Sequence, residues 1–233
     1  MNQFEMSEII DTQKTSPQRK TVAGAILSVG MLITALAVVF FAWLAEEVFE
    51  GDSVKIDSAV REFVHSFASG WLTVTMQFFS FLGSTVFLSA ATLLTVSILL
   101  LRRKFRPAVI IGIVMAGAVI LNNVLKISFS RDRPLPYFDT PLPASFSFPS
   151  GHALLSVCFY GALAWLISLS LKRTSAKVAL WSVTALMALC IGLSRIYLGV
   201  HYPTDVLAGY LAAIVWLICV RTADSVLVKP ADP

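Results

Sequence analysis

The stretch from 107 to 126, PAVIIGIVMAGAVILNNVLK, holds no charge until its last residue. It is about as long as the roughly 20-residue helix that crosses the hydrocarbon core of a bilayer. In lipid every backbone polar group must be satisfied internally, so a chain with such a run folds there as a helix. Comparable runs lie at 22–45, 84–101, 152–171, 177–198 and 204–221, six in all. Helices of soluble domains keep apolar residues to one face, and these segments do not. Composition agrees, with 57% hydrophobic residues, 14% charged residues and a mean hydropathy of +0.78. The expectation is an all-α fold: a polytopic membrane helical bundle of six transmembrane helices, forming one domain over 21–222 between polar tails at 1–20 and 223–233. The span at 84–101 is short. The segment before it, SGWLTVTMQFFSFLGS (69–84), reads as its first turns, as a re-entrant piece or as an amphipathic surface helix.

Basic residues orient the bundle, because loops rich in lysine and arginine stay cytoplasmic. Lys14, Arg19 and Lys20 precede the first span; Arg102, Arg103, Lys104 and Arg106 join the second and third; Lys172, Arg173 and Lys177 join the fourth and fifth; Arg221 and Lys229 follow the sixth. These twelve of eighteen basic residues fall on one face, which puts both termini in the cytoplasm. The first apolar run is too long for a cleaved signal and reads as a signal anchor. The cluster RRKFR at 102–106 sets topology or binds anionic lipid. The net charge of +4 is accounted for by these loops, so it carries no nucleic-acid signal. Cys158, Cys190 and Cys219 fall inside spans with no metal or disulfide spacing.

Four cations then stand at the wrong end: Lys126, Arg131 and Arg133 around the end of the third span, and Arg195 near the end of the fifth. Cations at membrane depth are costly and are kept for a partner, a pathway or a ligand. If the third helix continued, Arg133 would fall two turns after Lys126 on nearly the same face, so both could address one anion. Snorkelling towards headgroups explains either cation alone. In SRIYLGVHYPTD (194–205), Gly199 suits a left-handed cap and Pro203 a first helical turn, leaving His201 in the turn between. Asp205, four residues on, either orients the His201 ring or merely caps the new helix. In FSFPSGHALLSV (146–157), Ser150 suits an N-cap, Gly151 allows close backbone approach, and the helix start is an anion site. A bare helix-start signal accounts for these residues but not for His152. His65 has no motif around it and reads as a surface or amphipathic-helix histidine. Cations, a helix N-terminus, two histidines and a carboxylate on one side of a membrane are the equipment of phosphoryl transfer.

These residues resemble the type 2 phosphatidic acid phosphatases, lipid phosphatases related to vanadium haloperoxidases. Lysine, six residues, arginine, proline appears as Lys126, Arg133 and Pro134; Pro-Ser-Gly-His as Pro149 to His152; and Ser-Arg, five residues, histidine, three residues, aspartate as Ser194, Arg195, His201 and Asp205. The resemblance covers about 85–222 and implies a membrane enzyme with no metal and no cofactor. It implies that His201 attacks phosphorus while Asp205 holds its ring, and that His152 protonates the leaving group and then activates water. Lys126, Arg133, Ser150, Gly151 and Arg195 would bind the phosphate. The expected partner is a lipid phosphate such as phosphatidic acid, phosphatidylglycerol phosphate or a polyprenyl pyrophosphate. The site would face the extracytoplasmic side of the cell membrane. Tyr137, Phe138, Phe146 and Phe148 either embed the site in the interface or belong to an ordinary aromatic belt. An inactive lipid-phosphate binder or transport component, and vanadate-dependent halide oxidation, are the other chemistries such a pocket could host.

Overall fold

The computed structural model describes residues 17–138 and 143–227, with side chains from residue 28 onward. The described residues form helices only: α1 Pro17–Glu50, α2 Val54–His65, α3 Gly70–Leu82, α4 Thr85–Leu101, α5 Phe105–Phe129, α6 Gly151–Ser168, α7 Thr174–Tyr197 and α8 Pro203–Leu227. Helix α8 runs on to Leu227, and residues 1–16 and 228–233 of the two expected tails lie outside the described residues. Residues 17–36 form the first part of α1, where Thr34 Oγ1 donates to Gly30 O. From Ala37 the chain forms a second compact unit.

Five helices are long and apolar enough to span: Ser28–Glu50 of α1, and α5, α6, α7 and α8. The sixth expected span is broken, because α3 and α4 meet the same criterion only as a pair bent by 47°. The sequence leaves 69–84 open among the first turns of the span, a re-entrant piece and a surface helix, and the bent pair fits the first two, as a broken span or a re-entrant segment. The cause of the bend is local. Ser84 starts a new helix, its side chain accepting from Phe87 N at 3.2 Å, and Gly83 presses against another element where a Cβ would stand 3.4 Å from His152 Cδ2.

Helix α6 is the hub, packed against α5, α7 and α8. Leu154, Cys158 and Ala162 on α6 share one core with Ile111, Val114 and Ala118 of α5 and Ala213 of α8, all buried. Lipid tails are as apolar as leucine, so burial alone does not hold such helices together; close packing of small residues does. Gly209 is the clearest case, since a Cβ there would lie 2.7 Å from Ser150 O and 3.0 Å from Ala153 Cβ. Large residues such as Leu93, Ile120, Val183 and Leu186 point outward, as lipid requires.

The connections sort the ends of this bundle. The ends of α4, α6 and α8 and the starts of α5 and α7 lie at one end, with the basic loops. The end of α5, the starts of α6 and α8 and the end of α7 gather at the other, where Lys126, His152, Arg195 and His201 stand.

Candidate active site

Helix α7 stops at Tyr197, and Gly199, at φ +76°, reverses the chain. Only glycine fits comfortably here, because the conformation is left-handed and a Cβ would meet Tyr137 N at 2.7 Å. Arg61 of α2 fixes the same turn by donating to Gly199 O at 3.1 Å and Leu135 O at 2.7 Å. Pro203 then opens α8 where its missing N–H costs nothing. Asp205, in the first turn, accepts from Tyr202 N at 2.9 Å and faces His201 Nδ1 at 3.2 Å through the same oxygen, Oδ2. Capping the helix and orienting the imidazole, the two readings of this spacing, are therefore one arrangement. Ser147 also donates to Oδ2.

The tautomer follows from the partners. Arg133 Nη1 lies 3.1 Å from His201 Nε2, and a guanidinium has only donors. Nε2 therefore presents a lone pair, and Nδ1 carries the proton shared with Asp205. Burial pushes His201 down to about 3, against the hydrogen bond and charge of Asp205, which pull it up. The result is a neutral imidazole with its unprotonated nitrogen turned to a cation. Burial likewise lowers Arg133 from its ordinary value, opposed by Asp205.

Arg133 does not reach this place on a continued helix, as its spacing from Lys126 suggested. Helix α5 ends at Phe129 and Ser130 is left-handed at φ +47°, so Arg133 comes in on extended chain. It is held by Ser145 O at 2.8 Å, Val200 O at 3.0 Å and Ser145 Oγ at 3.2 Å. Lys126, buried on the last turn of α5, donates to Phe146 O. Arg195, buried on the last turn of α7, donates to Ser80 Oγ of α3 and leaves its Nε without a partner. Ser80 carries no motif, and nothing in the sequence singles it out.

At the start of α6, Ser150 holds the N-cap position, but its hydroxyl caps nothing; Oγ is buried with no partner. The Ser150 backbone N–H donates to Asp205 O at 2.9 Å, which locks the starts of α6 and α8 together. Gly151 has Asn122 against it, where a Cβ would stand 3.1 Å from Asn122 Oδ1. His152 is half-buried beside Gly83 and feels the charges of Arg195, His201, Arg133 and Lys126. All eight expected site residues thus come to one mouth. The unpartnered Ser150 Oγ and Arg195 Nε are groups that an anion's oxygens would satisfy, since buried polar groups ordinarily find partners.

The aromatic residues of the loop do not act as a group. Phe148 is fully buried against Phe41 and Phe129, so its assignment to the interface is corrected. Tyr137 stacks on His65 at 3.9 Å, with Arg61 at 4.8 Å from its ring centroid, and Phe138 stacks on Tyr197; only Phe146 is exposed. His65 itself ends the amphipathic helix α2, as one of its readings had it.

Fold and site define a helical membrane protein whose cations and two histidines gather at one mouth. The chain belongs to the PAP2 superfamily, which matches residues 107–226. It is 29% identical over 186 residues to phosphatidylglycerophosphatase B of Bacillus subtilis, covering 79% of this chain and 91% of that protein. It is 33% identical over 122 residues to an undecaprenyl-diphosphatase of Sulfolobus acidocaldarius, covering 50% and 55%. Among solved structures, the transmembrane PAP2 type phosphatidylglycerolphosphate phosphatase from Bacillus subtilis superposes with a TM-score of 0.76 at 27% identity, covering 85% of this chain and 98% of that one.

Proposed function

We propose that this protein is a lipid phosphatase that removes a terminal phosphate through a phosphohistidine on His201. The observation that carries the reading is the His201 ring, with Nδ1 held by buried Asp205 and the Nε2 lone pair aimed at Arg133. In the first step the Nε2 lone pair attacks phosphorus, the bond from phosphorus to the leaving oxygen breaks, and His152 gives that oxygen a proton. In the second, His152 takes a proton from water, whose oxygen attacks phosphorus and expels Nε2. Asp205 offsets the positive charge that grows on the His201 ring. Lys126, Arg133 and Arg195, with Ser150 Oγ and the Gly151 N–H, bind the equatorial oxygens, on which charge builds in the transition state.

The substrate reading follows the relatives: phosphatidylglycerol phosphate first, a polyprenyl diphosphate second. In this reading the mouth faces the extracytoplasmic side and the termini the cytoplasm, which the distribution of basic residues supports. The single domain over 21–222 stays part of this reading. Phosphate release by the purified protein from phosphatidic acid, phosphatidylglycerol phosphate and polyprenyl pyrophosphate, with chelator present, tests substrate and metal independence together. His201→Ala should abolish release, and unchanged turnover would refute the mechanism. A cysteine at position 103 that labels from outside intact cells would refute the orientation.

A further inference from the structure

Helix α2 is turned inside out. Ile56 and Phe63 are 70% and 65% exposed, whereas Asp57 is fully buried and Arg61 nearly so. The two charged residues are four apart and share one face. A buried carboxylate is tolerated only when its oxygens are satisfied, and those of Asp57 are. Oδ1 accepts from Thr204 N at 3.0 Å, in the first turn of α8, and Oδ2 from Thr204 Oγ1 at 2.7 Å and Arg131 Nη2 at 2.8 Å. The other arm of that arginine, Nη1, donates to Asp205 Oδ1 at 2.8 Å and to Thr204 Oγ1 at 2.8 Å. Its Nη2 also reaches Ser53 Oγ at 3.2 Å, and its plane lies 4.1 Å from the Tyr202 ring centroid. Arg131 therefore touches neither His201 nor the phosphate-binding groups; it joins one carboxylate to another.

We propose that Asp57, acting through Arg131, is a positioning residue for the His201–Asp205 pair. The assignment rests on the phosphatase reading above and goes beyond it. Asp205 uses Oδ2 for His201, Ser147 and Tyr202, so its remaining oxygen, held by Arg131, fixes the plane of the carboxylate. Arg131 can hold that oxygen without cancelling the charge of Asp205 because Asp57 shares the guanidinium. With Asp57 neutral, the whole cation would fall on Asp205, which would then hold the imidazole less strongly as it becomes positive on attack. Lysine could not replace Arg131, because a point charge cannot grip two carboxylates along two edges of a planar fork.

The test uses full-length protein in detergent with phosphatidylglycerol phosphate as substrate, comparing wild type, Asp57→Asn, Arg131→Lys, Arg131→Met, the Asp57→Asn/Arg131→Met double variant and His201→Ala. Asp57→Asn should lower kcat by about 10- to 100-fold, by analogy with the loss of a group that orients a metal-ligating histidine. KM should stay within about twofold, because the phosphate-binding groups are untouched. The double variant should be no slower than Arg131→Met alone, since both act along one path. A kcat for Asp57→Asn within about twofold of wild type, or losses that multiply in the double variant, would overturn the proposal. If Asp57→Asn does not fold, Arg131→Lys answers the same question by the same split. Failure of both to fold assigns the pair to fold maintenance and also overturns it. Turnover surviving in His201→Ala would bring down the phosphatase mechanism, and this inference with it.

Discussion

At one end of the bundle Arg106 meets Asp224 at 2.8 Å, with the arginine side chain 54% exposed; at the other Arg131 meets Asp57 and Asp205 at 2.8 Å each, with both carboxylates fully buried. The chemistry is the same and the setting differs. An exposed pair contributes about 0–1 kcal/mol, because solvent screens it and two long side chains must be ordered. A buried pair pays several kcal/mol of desolvation per ion, so stability is a poor reason to keep one. What the buried pairs provide is direction: Asp205 is aimed at His201, and α2 is fastened to the start of α8. Exposed charge at the basic end stays screened by solvent, and buried charge at the histidine end sets geometry.

The sharpest way to break this contrast is to neutralise one aspartate at each end. Asp205→Asn keeps the shape of the side chain and loses the charge that the proposed mechanism requires beside the ring of His201 during attack. By analogy with the aspartate of a serine protease triad, kcat should fall by about 10³- to 10⁴-fold. Asp224→Asn should leave kcat unchanged. Lipid phosphate release at saturating substrate measures both, and equal effects would end the distinction.

Packing offers a second comparison. Gly209 lets α8 approach the start of α6, and the Cβ of Gly209→Ala would push on Ser150 O and Ala153. Overpacking of this kind costs about 1–3 kcal/mol. It should also lower activity, because Ser150 and Gly151 ride on the displaced turn. Gly112, on α5, has nothing within 4 Å of a built Cβ, so Gly112→Ala should gain up to about 1 kcal/mol of helix propensity. Thermal midpoints in one detergent, read beside activity, separate the two.

Buried His201 gives a pH test. Its unfolded imidazole titrates near pH 6.5. Folded, burial holds it near 3 in spite of Asp205. Between these values the unfolded chain binds a proton that the folded chain does not, so stability rises with pH across the window. The contribution is complete above about pH 6.5 and is lost as the pH falls towards the folded value. Thermal midpoints from about pH 7 to about pH 4 should therefore fall more steeply for wild type than for His201→Gln, by up to one proton's worth of slope. Parallel curves would show that His201 is not held neutral.

How far the sequence carried these conclusions varies along the chain. Uniform apolar runs give the spans within a few residues because lipid imposes helix on them. Lys126, His152, Arg195 and His201 could be placed at one mouth because each stands at the end of a run. The 47° bend between α3 and α4 was not legible, since it depends on what Gly83 packs against, and 69–84 stayed open among first turns, a re-entrant piece and a surface helix. Arg131 stood out as a misplaced cation, but its partner was hidden: Asp57 lies 74 residues away on the amphipathic helix α2. One sequence signal could have found it. In SVKIDSAVREF (53–63), Asp57 and Arg61 stand four residues apart, on one face of the helix, as two charges that can be buried together.

The smallest expected effect tests the contrast from its weak side. Arg106 grips Asp224 with two donors, Nε at 3.0 Å and Nη2 at 2.8 Å, which is good geometry for a surface pair. If geometry alone made an arginine–aspartate pair important, Arg106→Ala would cost as much as Arg131→Met. If burial and what the carboxylate touches decide, Arg106→Ala should change stability by no more than about 1 kcal/mol, less in high salt, and leave kcat and KM as they are. Thermal midpoints at low and high salt, with phosphate release on the same samples, distinguish the cases. A loss of turnover in Arg106→Ala with an unchanged midpoint would mean that the basic end acts on the distant site, and that the two ends are not separable.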